Sequence, residues 1–274
     1  MTAIAFVKMQ SCGNDFVVID AVRQVLPAGI NFAALADRKR GIGCDQILIL
    51  RAAAGDADFD YQIINADGGE VGQCGNGARC AHLFLHSRGL TAKSSIVLQT
   101  KTARITTEAA GDEVRAYLPP PVFFAPPGMQ TAECYSAAPY FKEKHFYSVS
   151  LGNPHAVFML GDDDGDMLPG LAEVGKQLNA ARDIFPDGVN VGFCFVRADG
   201  GLDLQVYERG VGITDSCGSG AAAAAAVAIK SGKTTSPVDI KMPGGNLTCG
   251  WHPPSSPIWL QAPATEVFSG TVRL

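Results

Sequence analysis

Gln73-Cys74-Gly75-Asn76-Gly77-Ala78 and Ser216-Cys217-Gly218-Ser219-Gly220-Ala221 are two renderings of one pattern. In each, a cysteine precedes Gly-polar-Gly-Ala, and an apolar stretch of helical character follows. The two copies lie slightly more than half the chain length apart in 274 residues. A repeat at that spacing predicts two similar halves, each presenting a thiol at the start of a helix. It further predicts one site built from both, with a sulfur on either side of a substrate. A single Gly-rich strand-to-helix turn with a cysteine reads most simply as structural. Two matched copies favour the chemical reading.

Outward from the cysteines, short apolar runs bounded by turn residues dominate. Phe16–Asp20, Gln46–Leu50, Phe59–Ile64, Ser95–Gln99, Ile105–Glu108 and Val114–Leu118 read as strands in the first half. Tyr147–Leu151, His155–Phe158, Val189–Val196, Leu202–Tyr207 and Val238–Lys241 do so in the second, and Glu266–Leu274 as a last strand. Helices are expected over Gly77–Arg88 and Gly220–Ser231, closed by Gly89 and Gly232, with others near Phe32–Arg40 and Gly170–Asn179. Pro119-Pro120-Pro121 cannot donate to a sheet ladder and marks the change of domain. The fold class is therefore α+β, with two pseudo-symmetric domains of mixed and antiparallel strands, each around a central helix.

Composition sets the frame. With 47% hydrophobic and 18% charged residues and a net charge of −5, nothing offers a basic face for nucleic acid or an anionic membrane. The longest apolar run, Ala221–Ile229, is far short of the ~20 residues that span a bilayer. No signal-peptide pattern opens the chain, so a cytoplasmic enzyme is expected. The eight cysteines are then free thiols, mostly small buried hydrophobes. No metal is expected: Cys74, Cys80, His82 and His86 fit no zinc spacing, and Cys80, His82 and His86 should lie on different helix faces.

A thiol at a helix N-terminus feels the positive end of the backbone dipole, which favours thiolate. Gly75, Asn76, Gly218 and Ser219 free backbone N–H groups that could hold one carboxylate. The substrate Cα then sits between two sulfurs, where one removes a proton and the other returns one to the opposite face, with no cofactor. His155, in a turn that keeps it accessible, and Glu208 are the bases that could share the thiol protons. On the plain reading, His155 is a core histidine, Glu208-Arg209 an ion-paired strand end, and Ala221–Ala226 a tightly packed helix.

Seven ordered segments, running nearly end to end, resemble the diaminopimelate epimerases, a family of cofactor-independent amino-acid racemases. They are Gly13–Asp20, Gly41–Gln46, Asn65–Glu70, Gln73–Cys80, Gly152–His155, Tyr207–Gly210 and Cys217–Gly220. Asn76 stands where the related proline racemases usually carry histidine. The resemblance implies a Cys74/Cys217 thiolate–thiol pair interconverting LL- and meso-diaminopimelate for lysine and peptidoglycan synthesis. In it, His155 assists Cys74 and Glu208 assists Cys217. It also implies that Asn65, Asn190, Glu208 and Arg209 grip the distal end of the substrate, that Asn14, Gln46 and Asn153 line the site, and that a homodimer is open. The corresponding domains are residues 1–119 with 264–274, and 120–263. Ile213 departs from the family pattern by replacing a glutamate, which removes a carboxylate near the second helix start and bears on the acidity of its thiol. Asp215-Ser216 and Ser11-Cys12 depart as well. Two rivals remain at this level: a racemase of another amino acid, such as histidine, and a thiol–disulfide sensor.

Overall fold

The computed structural model describes residues 3–131, 133–141, 143–161, 164 and 170–273. Two compact units emerge, Met1–Tyr117 with Gln261–Leu274, and Leu118–Leu260. The first contains β1 (Ala3–Ser11), β2 (Asn14–Asp20), α1 (Phe32–Ala36), β3 (Gln46–Ala52), β4 (Phe59–Asn65), β5 (Glu70–Val71), α2 (Gly75–Ser87), β6 (Ser95–Gln99), β7 (Arg104–Ala110) and β8 (Glu113–Leu118). The second runs through β9 (Val122–Phe123), β10 (Tyr135–Ser136), β11 (His145–Ser150), β12 (Pro154–Leu160), α3 (Leu171–Ala180), β13 (Asn190–Val196), β14 (Leu202–Glu208), β15 (Gly212–Thr214), α4 (Gly218–Lys230), β16 (Val238–Met242), β17 (Gly245–Gly250) and β18 (Ile258–Ala262). The last strand, β19 (Thr265–Arg273), pairs antiparallel with β1 in the first unit; Leu274, expected to end it, lies outside the described residues.

One pairing scheme serves both units. In the first, β1–β2 is antiparallel, β2–β3 parallel, β3–β4 and β4–β5 antiparallel, β4–β6 parallel and β6–β7 antiparallel. In the second, β11 to β17 repeat that order of directions strand for strand. Each scheme wraps a central helix. α2 packs on β1, β2, β3 and β7, and α4 on β11 to β14, β16 and β17.

Side-chain size explains the wrapping. Ala221 to Ala226 are all fully buried, so strands approach α4 from every side, as expected of a helix apolar all round. Around α2, Phe84 and Leu85 meet Leu48, Leu50 and Ile63, while Ile47 and Ile49 face a second core beneath α1. Covered on both faces, β3 shows a continuous apolar run instead of alternation. Phe146, Phe158 and Phe193 form the core beneath α3, with the Phe158 and Phe193 rings stacked 5.5 Å apart.

Three expectations need correction. The helix near Phe32–Arg40 stops at Ala36, because the Asp37 carboxylate accepts the N–H groups of Lys39 and Arg40 at 2.7 and 2.8 Å. Leu151 falls outside β11, in the turn before β12. His82 and His86 share a helix face, one turn apart, with ring centroids 4.8 Å apart. Among the described residues no helix is long and apolar enough to cross a membrane.

Candidate active site

The shared topology decides where the polar residues go. β2 and β3 run parallel and β4 antiparallel to them, so the start of β2, the start of β3 and the end of β4 meet at one sheet edge. Those positions are Asn14, Gln46 and Asn65. The same edge of the second unit carries Asn153 and His155 around the start of β12, Asn190 at the start of β13 and Glu208 at the end of β14. From each edge the chain makes a short hairpin and enters its cysteine helix.

Cys74 and Cys217 are the N-caps of α2 and α4, with matching backbones: φ −153°, ψ 106° and φ −132°, ψ 104°. Each helix is 13 residues long and ends on a left-handed glycine, Gly89 or Gly232. A bond from the following N–H to the carbonyl five residues back completes the cap in both, Leu90 to Leu85 and Lys233 to Ala228. The glycines three residues after the cysteines are required. A Cβ at Gly77 would sit 2.3 Å from Tyr61 Oη and 3.3 Å from the Cys74 sulfur; at Gly220 it would meet Val206 at 2.8 Å and the Cys217 sulfur at 3.2 Å.

In the first unit, the Cys74 sulfur accepts the Gly77 N–H at 3.3 Å. Asn76 Nδ2 donates to Asn14 Oδ1 at 3.4 Å, and Gln46 Nε2 to Asn65 Oδ1 at 2.8 Å. Gln46 Oε1 is a buried acceptor with no hydrogen-bond partner among the described residues.

In the second unit, Cys217 is buried, with Glu208 hydrogen-bonded to its thiol and the Ser219 hydroxyl 3.7 Å from its sulfur. Burial first, then the Glu208 carboxylate, push this thiol well above its ordinary value, outweighing hydrogen bonds from Gly220 and Ser219. The helix start therefore does not make Cys217 a thiolate; desolvation wins. His155 is 1% exposed on β12, not accessible in a turn as expected. Burial, then the Arg209 cation, lower its pKa to about 3, so the imidazole is neutral. Its Nε2 lies 3.2 Å from Asn153 Oδ1, and Asn153 Nδ2 donates to the Ser219 hydroxyl at 3.4 Å. Asn190 Oδ1 accepts the Arg209 N–H at 2.8 Å, and the Arg209 guanidinium donates to the Asp187 carbonyl at 3.0 Å.

Thr214 is a site neighbour that motif reading passes over; its hydroxyl donates to Glu208 Oε1 at 2.6 Å. Alternation along β15 could have revealed it, since Thr214 shares the Glu208 face of the ladder. Ile213 pairs with Tyr207 and projects from the other face, so the carboxylate missing at 213 is missing away from Glu208. Ser11 is likewise used: it donates to the Pro263 carbonyl at 2.7 Å and accepts from Arg79.

The model of the diaminopimelate epimerase family matches the chain twice, over residues 6–123 and 147–264, one match around each cysteine helix. A diaminopimelate epimerase from Nitrosospira multiformis is 41% identical over 277 residues, covering 99% of both chains. One from Nitrosomonas eutropha is 40% identical over 282 residues, again at 99% of both. Among solved structures, a hydroxyproline epimerase from Agrobacterium vitis superposes with a TM-score of 0.71 at 16% identity, over 99% of this chain and 91% of that one. A PhzF-family phenazine biosynthesis protein from Bacillus anthracis gives 0.70 at 14% identity over the whole of both chains. At those identities the likeness is one of fold. The duplicated unit, the paired cysteine caps and the full-length sequence match agree: the chain belongs to the diaminopimelate epimerase family.

Proposed function

We propose that this protein interconverts LL- and meso-diaminopimelate in the cytoplasm, using the Cys74 and Cys217 sulfurs on opposite faces of one carbon and no cofactor. The observation that carries the reading is the pair of cysteine caps with the same backbone, the same glycine three residues on and the same helix length. In one direction a thiolate takes the Cα proton, leaving a carbanion conjugated with the carboxylate. The opposite thiol then delivers its own proton to the other face. The two sulfurs exchange protonation states in each turnover, so the enzyme needs one thiol and one thiolate at the start.

The Cα–H is a very weak acid, and the helix starts supply the fixed dipoles for the developing enolate; losing one such donor typically costs about 2.7–4 kcal/mol. The buried, protonated Cys217 beside Glu208 is suited to begin as the acid, with Glu208 taking part in its proton exchange and His155 serving Cys74. Residues Gly75, Asn76, Gly218 and Ser219 hold the reacting carboxylate. Asn14, Gln46, Asn65, Asn153, Asn190, Glu208 and Arg209 receive the rest of the molecule. A substrate with a second amino-acid head brings an ammonium that the unpartnered Gln46 Oε1 can accept and a carboxylate that suits the Arg209 fork. Deuterium exchange at Cα across a panel of amino acids in D₂O tests the substrate. Exchange of diaminopimelate is expected; exchange of histidine or another single-headed amino acid without it would overturn the assignment.

A further inference from the structure

In the first unit, one hydrogen-bonded chain runs behind the Cys74 helix start. Asn14 Nδ2 donates to Asp45 Oδ2 at 2.7 Å. Asn14 Oδ1 accepts from Asn76 Nδ2 at 3.4 Å, and Asn76 Oδ1 accepts from Arg79 Nη2 at 2.7 Å. The ends of this chain are chemically one-way. A carboxylate only accepts and a guanidinium only donates, whereas an amide between them could otherwise sit either way round. Asp45 compels Asn14 to turn its nitrogen outward to it. That leaves the Asn14 oxygen for Asn76, and Arg79 claims the Asn76 oxygen from the far side. Reversing either amide would oppose like atoms at both of the bonds just given.

Both end groups are themselves held. Arg79 is fully buried, donates to the Ser11 hydroxyl through Nε at 3.1 Å and Nη2 at 3.0 Å, and has no carboxylate partner among the described residues. The equivalent position of the second unit, Ala222 on α4, carries no side chain capable of this. Asp45 is anchored by Arg38 at 2.7 Å and accepts the Asp15 N–H at 3.1 Å.

We propose that Asp45 and Arg79 are positioning residues, the acceptor-only and donor-only ends of a polarised chain that locks the amides of Asn14 and Asn76 in single orientations. Its effect on catalysis rests on the reading that these two amides meet the substrate; the locking itself does not.

The locking is tested first without turnover, by NMR measurement of hydrogen exchange at the Asn76 side-chain NH₂ in the full-length protein. Asp45→Asn lets Asn14 reverse, and exchange at Asn76 should quicken about tenfold, the worth of one weak to moderate hydrogen bond. Unchanged exchange would overturn the proposal whatever the substrate. Kinetics then test the consequence. Asp45→Asn should raise KM for diaminopimelate about tenfold, while in an Asn76→Ala background the same change should add less than about twofold. Full additivity would mean that Asp45 acts by another route. Arg38→Ala, which removes the ion pairs on Asp45 and Asp15 but keeps the Asp45 carboxylate that accepts from Asn14, should raise KM less than Asp45→Asn does; an equal rise would count against the acceptor role of Asp45. Arg79→Lys should retain more activity than Arg79→Met; equal loss would count against a donor role. If Asn76→Ala alone leaves the kinetics untouched, the substrate-contact reading fails while the exchange result still judges the locking.

Discussion

Two causes act on Cys217 in the same direction: burial removes the water that would solvate a thiolate, and the Glu208 carboxylate repels the negative charge. Removing the second cause while keeping the first is a clean test. Glu208→Gln should lower the pKa of the thiol and speed alkylation of Cys217 by iodoacetamide at pH 8, read by peptide mapping. The same change should slow epimerisation by roughly 10²–10⁴-fold, the usual worth of a positioned acid–base group. Faster alkylation with unchanged turnover would remove Glu208 from the reaction; unchanged alkylation would remove it from the environment of Cys217. Thr214, whose hydroxyl holds Glu208 Oε1, should show a weaker version of the same pattern when changed to Val.

At the scale of the element, helix propensity and packing make opposite forecasts for Gly77. Replacing a helical glycine with alanine normally gains about 1 kcal/mol. Here the new Cβ would lie 2.3 Å from Tyr61 Oη, a fully buried side chain with little room to move. Overpacking of this kind typically costs about 1–3 kcal/mol, so Gly77→Ala should lower the denaturation midpoint and disturb the seat of the Cys74 sulfur. A stabilised variant would show that the turn has slack.

The cysteine helices were readable because each bears three signals at once: a glycine pair at the start, an apolar run and a closing glycine. α1 was misjudged because Asp37 captures the next N–H groups, a local competition that periodicity does not register. Asn14, Gln46 and Asn65 became site candidates only through motif resemblance, since they lie far apart in sequence and share an edge only by sheet topology. Burial was the least legible property. His155 follows a turn-forming Asn-Pro pair yet lies sealed on β12, and the helix dipole at Cys217 is overridden by desolvation that no sequence pattern announces.

For the molecule as a whole, buried neutral histidines set an acid limit. Burial, then its neighbour His86, lower the pKa of His82 to about 4, and His155 is lowered to about 3. Above pH ~6.5 both are neutral whether the chain is folded or not, and the stability they permit is fully present. As pH falls below that value the unfolded chain binds protons that the folded one refuses. Each histidine then costs up to about 1.4 kcal/mol per pH unit until its folded pKa is reached. Urea midpoints should therefore fall between pH 7 and 4.5, and His82→Leu should flatten part of that fall; an unchanged slope would contradict the burial account.

The central claim is that two sulfurs serve opposite faces of one carbon. Its most direct test is the isotope content of both stereoisomers when LL-diaminopimelate is turned over in D₂O, read by mass spectrometry at early times. Two thiols predict meso product carrying one deuterium at the inverted carbon while the remaining LL substrate stays unlabelled. Label entering the unreacted LL pool as fast as the product would mean one base serving both faces, and the account would be wrong.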